Sequence, residues 1–141
     1  KLGGEYVLGS NKTWRGFILG IIAAVIISYT QYFLWQFPGV RFVTVVDFSR
    51  VNPLLFGLAG GIGALGGDAV KSFLKRRLHI KSGQAWPVFD QLDFVAGFTI
   101  SVSPFTGFNI PIIITGCVAT LILHPLTNLF AYLFNVKRVW W

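Results

Sequence analysis

The stretch from Gly60 to Phe94 gathers three of the chain's five acidic residues and five of its twelve basic ones. Asp68, Lys71, Ser72 and Lys75 stand at offsets of 0, 3, 4 and 7. On a helix from Leu54 to about Arg77 that spacing puts an acid, a hydroxyl and two cations on one face. Asp90 and Asp93 stand three apart where the next apolar run begins, so a helix starting there holds both carboxylates on one side at its mouth. Asp68, Asp90 and Asp93 are hard oxygen ligands for a divalent metal, and Lys12, Arg15, Lys71, Lys75, Arg76 and Lys81 are cations for a polyphosphate. Transfer of a nucleotidyl or phosphoryl group puts charge on non-bridging and leaving oxygens, which prearranged metal and ammonium groups stabilise. Lys75 lies about 10 Å beyond Asp68 along such a helix, a span comparable to a metal-bound triphosphate, so it is expected to reach the leaving end. A plainer reading has the acids simply paired with the bases at a crowded interface. Three aspartates with no glutamate among them and no soluble domain around them weigh against it.

The elements that must position these groups are membrane helices. Of 141 residues, 54% are hydrophobic and only 12% charged, and the mean hydropathy is +0.66, where soluble domains carry about a quarter charged residues. The expected fold is an all-α integral membrane protein with four transmembrane helices, at about 16–37, 53–77, 91–105 and 109–135. The first and fourth apolar runs reach the length of about 20 residues that a span needs. The second does so only by continuing through Val70, Phe73 and Leu74. The third is short, which implies a helix whose start is sheltered inside the protein. Lys1, Lys12, Arg15, the five central cations from Lys71 to Lys81, Lys137 and Arg138 fall on one side of this topology, and only Arg41 and Arg50 on the other. That asymmetry places both termini and the central loop in the cytoplasm. It also accounts for the net charge of +7 without nucleic acid.

One membrane-embedded domain over 1–141 is therefore expected, with cytoplasmic loops at 1–15 and 78–90 forming the site. Asn11, Lys12, Thr13 and Arg15 end a Gly-rich approach to the first span, suited to turning backbone N–H groups toward an anion; anchoring of the span at the interface is the equal alternative. The segment from Pro38 to Val51 reads as a short extended or interfacial stretch. Gly57 with Gly61, and Gly63 with Gly67, are small-xxx-small pairs for close helix packing. The GxGxxG that overlaps them, Gly61 to Gly66, lacks the βαβ setting of a dinucleotide site. Cys117, the single cysteine, excludes an intramolecular disulfide and a cysteine zinc site. His124 and Asn128, four apart in the last span, are candidates for a lipid cavity, against the commoner role of bonding a neighbouring helix.

At these residues the chain resembles the CDP-diglyceride synthetase family of integral membrane cytidylyltransferases. Gly67-Asp68, Ser72, Lys75-Arg76, Lys81, Pro87, Asp90 and Asp93 follow the order of that family's signature, and Ser10 to Gly16 is similar to its Lys-Thr-Trp loop. The family's Gly-His-Gly-Gly segment is missing after Pro87. Ser82 replaces a usual Asp, Gln91 a usual Arg, and Arg15 the Glu of bacterial enzymes. These departures, the small size and the ending Asn128, Tyr132, Lys137, Trp140 resemble the archaeal branch, the CDP-archaeol synthases. In that branch one more apolar segment precedes the Lys-Thr-Trp loop, so five spans are expected in the full-length protein. The resemblance implies that CTP and the phosphate of an isoprenoid ether lipid give CDP-archaeol and pyrophosphate with Mg²⁺ at a cell membrane. It implies Asp68, Asp90 and Asp93 as metal ligands and, with Lys75, as catalytic residues. Asn11, Lys12, Thr13, Arg15, Lys71, Ser72, Arg76 and Lys81 would bind CTP and phosphate. Two alternatives remain at this point: a CTP-dependent polyprenol kinase, and a small ion or phosphate channel subunit. Against the channel, the first span is nearly without polar residues between Gly16 and Ser28, whereas a pore needs a polar face.

Overall fold

A computed structural model describes residues 13–78, 80, 84, 86 and 89–136, the side chains of Gln91 and His124 excepted. Among the described residues every regular element is a helix: α1 (Trp14–Trp35), α2 (Pro38–Arg41), α3 (Pro53–Arg77), α4 (Phe89–Thr106) and α5 (Ile110–Leu133). Their starts are set by local chemistry. Thr13 caps α1, its Oγ1 accepting from the Gly16 N–H at 3.1 Å. Asn52 caps α3 by accepting from Leu54 and Leu55, and Asn109 caps α5 by accepting from Ile112. Each satisfies N–H groups that a helix start leaves without partners.

Helices α1, α3 and α5 are long and apolar enough to cross a membrane, whereas the apolar part of α4 runs only from Leu92 to Thr106. The expected four spans are thus three long helices and one short one, and the short one is the third run. The segment after α1 departs from the extended reading at one point. Pro38 presets the φ of a first helical residue, and a single helical turn, α2, follows. Arg41 fastens that turn, its Nε donating to the Trp35 carbonyl at 2.9 Å with the guanidinium 4.3 Å from the Trp35 ring centre.

Helix α3 is the hub. It packs against α1 and α4, while α5 packs among the helices against α4 alone. The glycine pairs divide between these neighbours. A Cβ on Gly57 or Gly61 would press on the Ala24, Val25 and Ile21 region of α1, and one on Gly63 or Gly67 on Gly97 and Asp93 of α4. The buried apolar core is small, Phe48, Val51, Phe56 and Val102, and lies at the end of α3 and α4 opposite the charges. Most large apolar side chains of α1 and α5 face outward. Helices apolar on every side whose outer faces remain open have hydrocarbon as their solvent. The protein is an all-α membrane protein.

Candidate active site

The site begins with a backbone contact. An added Cβ on Gly63 or Gly67 would come well inside 3 Å of the Gly97 or Asp93 carbonyl oxygen, and one on Gly97 would meet the Gly63 carbonyl in the same way. Three glycines therefore let α3 and α4 cross with their backbones touching. Asp68, next to Gly67 on α3, is thereby brought beside Asp93 on α4.

The Lys71 ammonium lies between them. Its Nζ is 3.0 Å from Asp68 Oδ1, 3.3 Å from Asp90 Oδ1 and 2.9 Å from Asp93 Oδ2. The Lys71 side chain is 15% exposed and that of Asp93 7%, so water screens this group poorly. Both Asp93 oxygens are buried without a hydrogen-bond donor; the approach of Lys71 to Oδ2 is an ion pair at an angle unsuited to a hydrogen bond. Among the described residues no three His, Cys, Asp or Glu side chains close into a ready-made metal cage. What the three carboxylates share is an ammonium ion.

Lys75, one turn further along α3 and only 7% exposed, holds the neighbouring wall. Its Nζ donates to the Gln84 carbonyl at 2.6 Å and to both Asp90 oxygens at 3.1 Å, which employs all three donors of an ammonium. Asp90 also accepts the Trp86 N–H at 2.7 Å and returns its own N–H to the Trp86 carbonyl at 3.0 Å. The Trp86 ring stacks on Phe89 with centroids 4.4 Å apart. Burial pushes the Asp90 carboxyl up, but the Trp86 N–H, the Lys75 hydrogen bond and the charges of Lys71 and Lys75 together hold it below its ordinary 3.8. Asp90 is thus an anion fixed in orientation from two directions.

A membrane helix pair with three carboxylates and two ammoniums at its mouth is matched by one protein family over nearly the whole chain. The family model described as CDP-archaeol synthase, CarS-like, covers residues 2–141. The chain belongs to this family. It is 39% identical to a CDP-archaeol synthase of Methanosphaerula palustris over 98% of this chain and 83% of that protein. It is 38% identical to the Halobacterium salinarum CDP-archaeol synthase over 99% and 79%, and 36% identical to that of Methanocaldococcus jannaschii over 98% and 77%. No solved structure matches.

Of the residues that resemblance to the CDP-archaeol synthases singled out, the fold joins Asp68, Lys71, Lys75, Asp90 and Asp93 into one cluster. Ser72 is buried on the same stretch of α3. Arg76 turns to the loop, donating from Nη1 to the Ile80 carbonyl, while its buried Nε has no acceptor. Thr13 and Arg15 stand at the start of α1. Because Gly20 meets Leu65 and Gly61 meets Ile21 across the α1–α3 contact, that start is at the same end of the bundle as Asp68. Asn11, Lys12 and Lys81 lie outside the described residues, as does the His124 side chain. Asn128 is half-buried on α5.

Sequence reasoning missed the backbone participants. The Gln84 carbonyl and the Trp86 N–H carry no side-chain signature. Gly97 and Ser101, four apart in the third apolar run, are a small-xxx-small pair that could have been noticed; both face Gly63 of α3.

Proposed function

We propose that the cluster at the charged end is where this member of the CDP-archaeol synthase family performs its reaction, with the site facing the cytoplasm. The enzyme is a membrane cytidylyltransferase: it transfers CMP from CTP to a lipid phosphate, giving CDP-archaeol and pyrophosphate. The observation that carries the placement is the single ammonium ringed by Asp68, Asp90 and Asp93, where two helices of a membrane bundle touch. An oxygen of the lipid phosphate attacks the α-phosphorus of CTP, and the bond to the β-phosphate oxygen breaks with its electron pair leaving on pyrophosphate. The nucleophile is already anionic, so the reaction needs no general base. Among the described residues, the cluster contains no histidine.

The donor set fits a divalent cation such as Mg²⁺. Three carboxylates already surround one cationic position, and Asp93 has two buried oxygens without donors to offer. Asp68, Asp90 and Asp93 would hold the ion, and its chemistry there is charge withdrawal from phosphate oxygens. With such an ion held there, Lys71 would be free to pair with the phosphates. Lys75, its donors engaged by Gln84 and Asp90, keeps Asp90 aimed and adds positive charge to the same face of α3. Thr13 and Arg15, at the start of α1, would take the triphosphate side. The site faces the cytoplasm within a single domain. Basic residues concentrated at this end are the support for that orientation.

Neither the family assignment nor the relatives support the kinase or channel alternatives. The deciding assay uses the protein purified in detergent, CTP labelled in the α-phosphate or the γ-phosphate, and a geranylgeranyl ether-lipid phosphate beside phosphatidic acid. Label from the α-phosphate is expected in the lipid, and label from the γ-phosphate in pyrophosphate. Label from the γ-phosphate in a polyprenol added to the same assay, with CDP released and none of the α-label in lipid, would establish a kinase instead.

A further inference from the structure

A cleft of about 240 Å³ lies between α3, α4 and α5, away from the charges. Its α4 wall is Val95, Phe98, Thr99, Val102 and Thr106, a stripe at helical spacing that starts two residues after Asp93. At about 1.5 Å per residue the stripe runs about 16 Å toward the opposite end of the bundle. The α5 wall includes Ile112, Ile113 and Gly116.

Two of the polar groups in this lining are engaged within the protein. The Thr106 hydroxyl is 3.3 Å from the Val102 and Gly107 carbonyls as donor, and the Asn109 side-chain oxygen accepts from Ile112. Ordered water needs two to four polar partners, so such a cleft favours an apolar occupant. A cavity of about 150 Å³ holds one benzene; on that scale this one takes roughly two five-carbon isoprene units. Val45 and Val46 of the loop before α3 and Phe56 of α3 complete the lining, and α5 packs among the helices only against α4.

We propose that this cleft seats the far half of one isoprenoid chain of the lipid substrate, so that its depth selects for chain length. The inference rests on the assignment of the acidic cluster to the lipid phosphate. With the phosphate held by the Lys71 ammonium beside Asp93, the glycerol and first isoprene units lie along the upper α4 stripe and the distal units fall between Val102 and Gly116. Gly116 lines the cleft and a Cβ there would meet nothing within 4 Å, so a larger side chain at this position starts into open space.

The test compares kcat/KM for a four-unit geranylgeranyl lipid phosphate with that for its two-unit geranyl counterpart, in wild type and in Gly116→Phe. Any preference from partition into detergent is common to both proteins and cancels in the ratio. Wild type is expected to favour the longer chain at least tenfold. Gly116→Phe should lose that preference through the KM of the long substrate, with activity on the short one within about twofold. Gly116→Leu and Thr99→Leu are prepared alongside, and any variant that keeps a wild-type melting profile is decisive. A folded variant with the wild-type chain-length ratio overturns the proposal and leaves the cleft to bulk membrane lipid. A wild type that transfers CMP to no lipid phosphate overturns instead the reading on which the proposal rests.

Discussion

Adjacent glycines on α3 give the sharpest test of how the site is held. Gly66 has nothing within 4 Å of where a Cβ would be, whereas a Cβ on Gly67 would collide with the Asp93 carbonyl oxygen and lie 3.3 Å from Gly97 Cα. Carbonyl oxygens in a helix cannot rotate away, so Gly67→Ala must separate α3 and α4 by about 1 Å to restore ordinary contact. The 2.9 Å approach of Lys71 to Asp93 would then open to about 3.9 Å. At an effective dielectric of about 20 the attraction falls from about 5.7 to about 4.3 kcal/mol, a loss of about 1.5 kcal/mol, or roughly tenfold. A misplacement of that size at reacting groups costs up to about a hundredfold in rate. Gly67→Ala is therefore expected to lower kcat for CMP transfer by ten- to a hundredfold and to reduce the melting temperature in detergent. Gly66→Ala should keep activity within about twofold and match or exceed wild-type stability, since Ala is the better helix former by about 1 kcal/mol. Equal activities in the two variants would refute the claim that backbone contact at Gly67 sets the site.

Lys75→Ala should lose at least about tenfold in kcat, about 1.4 kcal/mol. Lys75→Arg should be only partly active, because a planar guanidinium does not reproduce the buried ammonium's contacts with Gln84 and Asp90. Arg77→Ala should stay near wild type, its guanidinium lying 5.1 Å from the ring of Phe73 rather than in the cluster; equal losses at both positions would mean general surface charge. Each of Asp68→Asn, Asp90→Asn and Asp93→Asn should abolish turnover in folded protein, and a variant within about threefold of wild type, roughly 0.7 kcal/mol, would remove that residue from the site. Because the folded Asp90 carboxyl is held below its ordinary 3.8, its contribution to stability is full above that value. That contribution is lost as pH falls through the lowered one, so melting followed on the acid side of pH 4 should show a decline that Lys75→Met shifts to higher pH. Cysteines at Ser82 and Thr106, in a chain with Cys117 replaced, should label from opposite membrane faces; labelling of both from one face would exclude the orientation in which α4 crosses.

Helix positions and the shared face of Asp68, Lys71, Ser72 and Lys75 were legible in the sequence because both depend on local spacing. The length of an apolar run, a cap residue such as Asn52, and offsets of 3, 4 and 7 act within one element. The family signature lies in the same local order of residues, and so did the weakness of the third span. Which cation the carboxylates share was a different kind of quantity. Lys71 and Lys75 have equal standing on the face of α3, and only the rotation of α4 against it decides that Lys71 meets three carboxylates while Lys75 is drawn to Asp90 and the Gln84 carbonyl. That rotation is fixed where Gly63 and Gly67 touch Gly97 and Asp93, a contact between backbones about 30 residues apart in sequence, short enough only because side chains are missing on both helices. The cleft beside α4 arises in the same way. Val95 to Thr106 reads as an ordinary apolar stripe, and it borders a cavity because α5 leaves the gap at Gly116 unfilled.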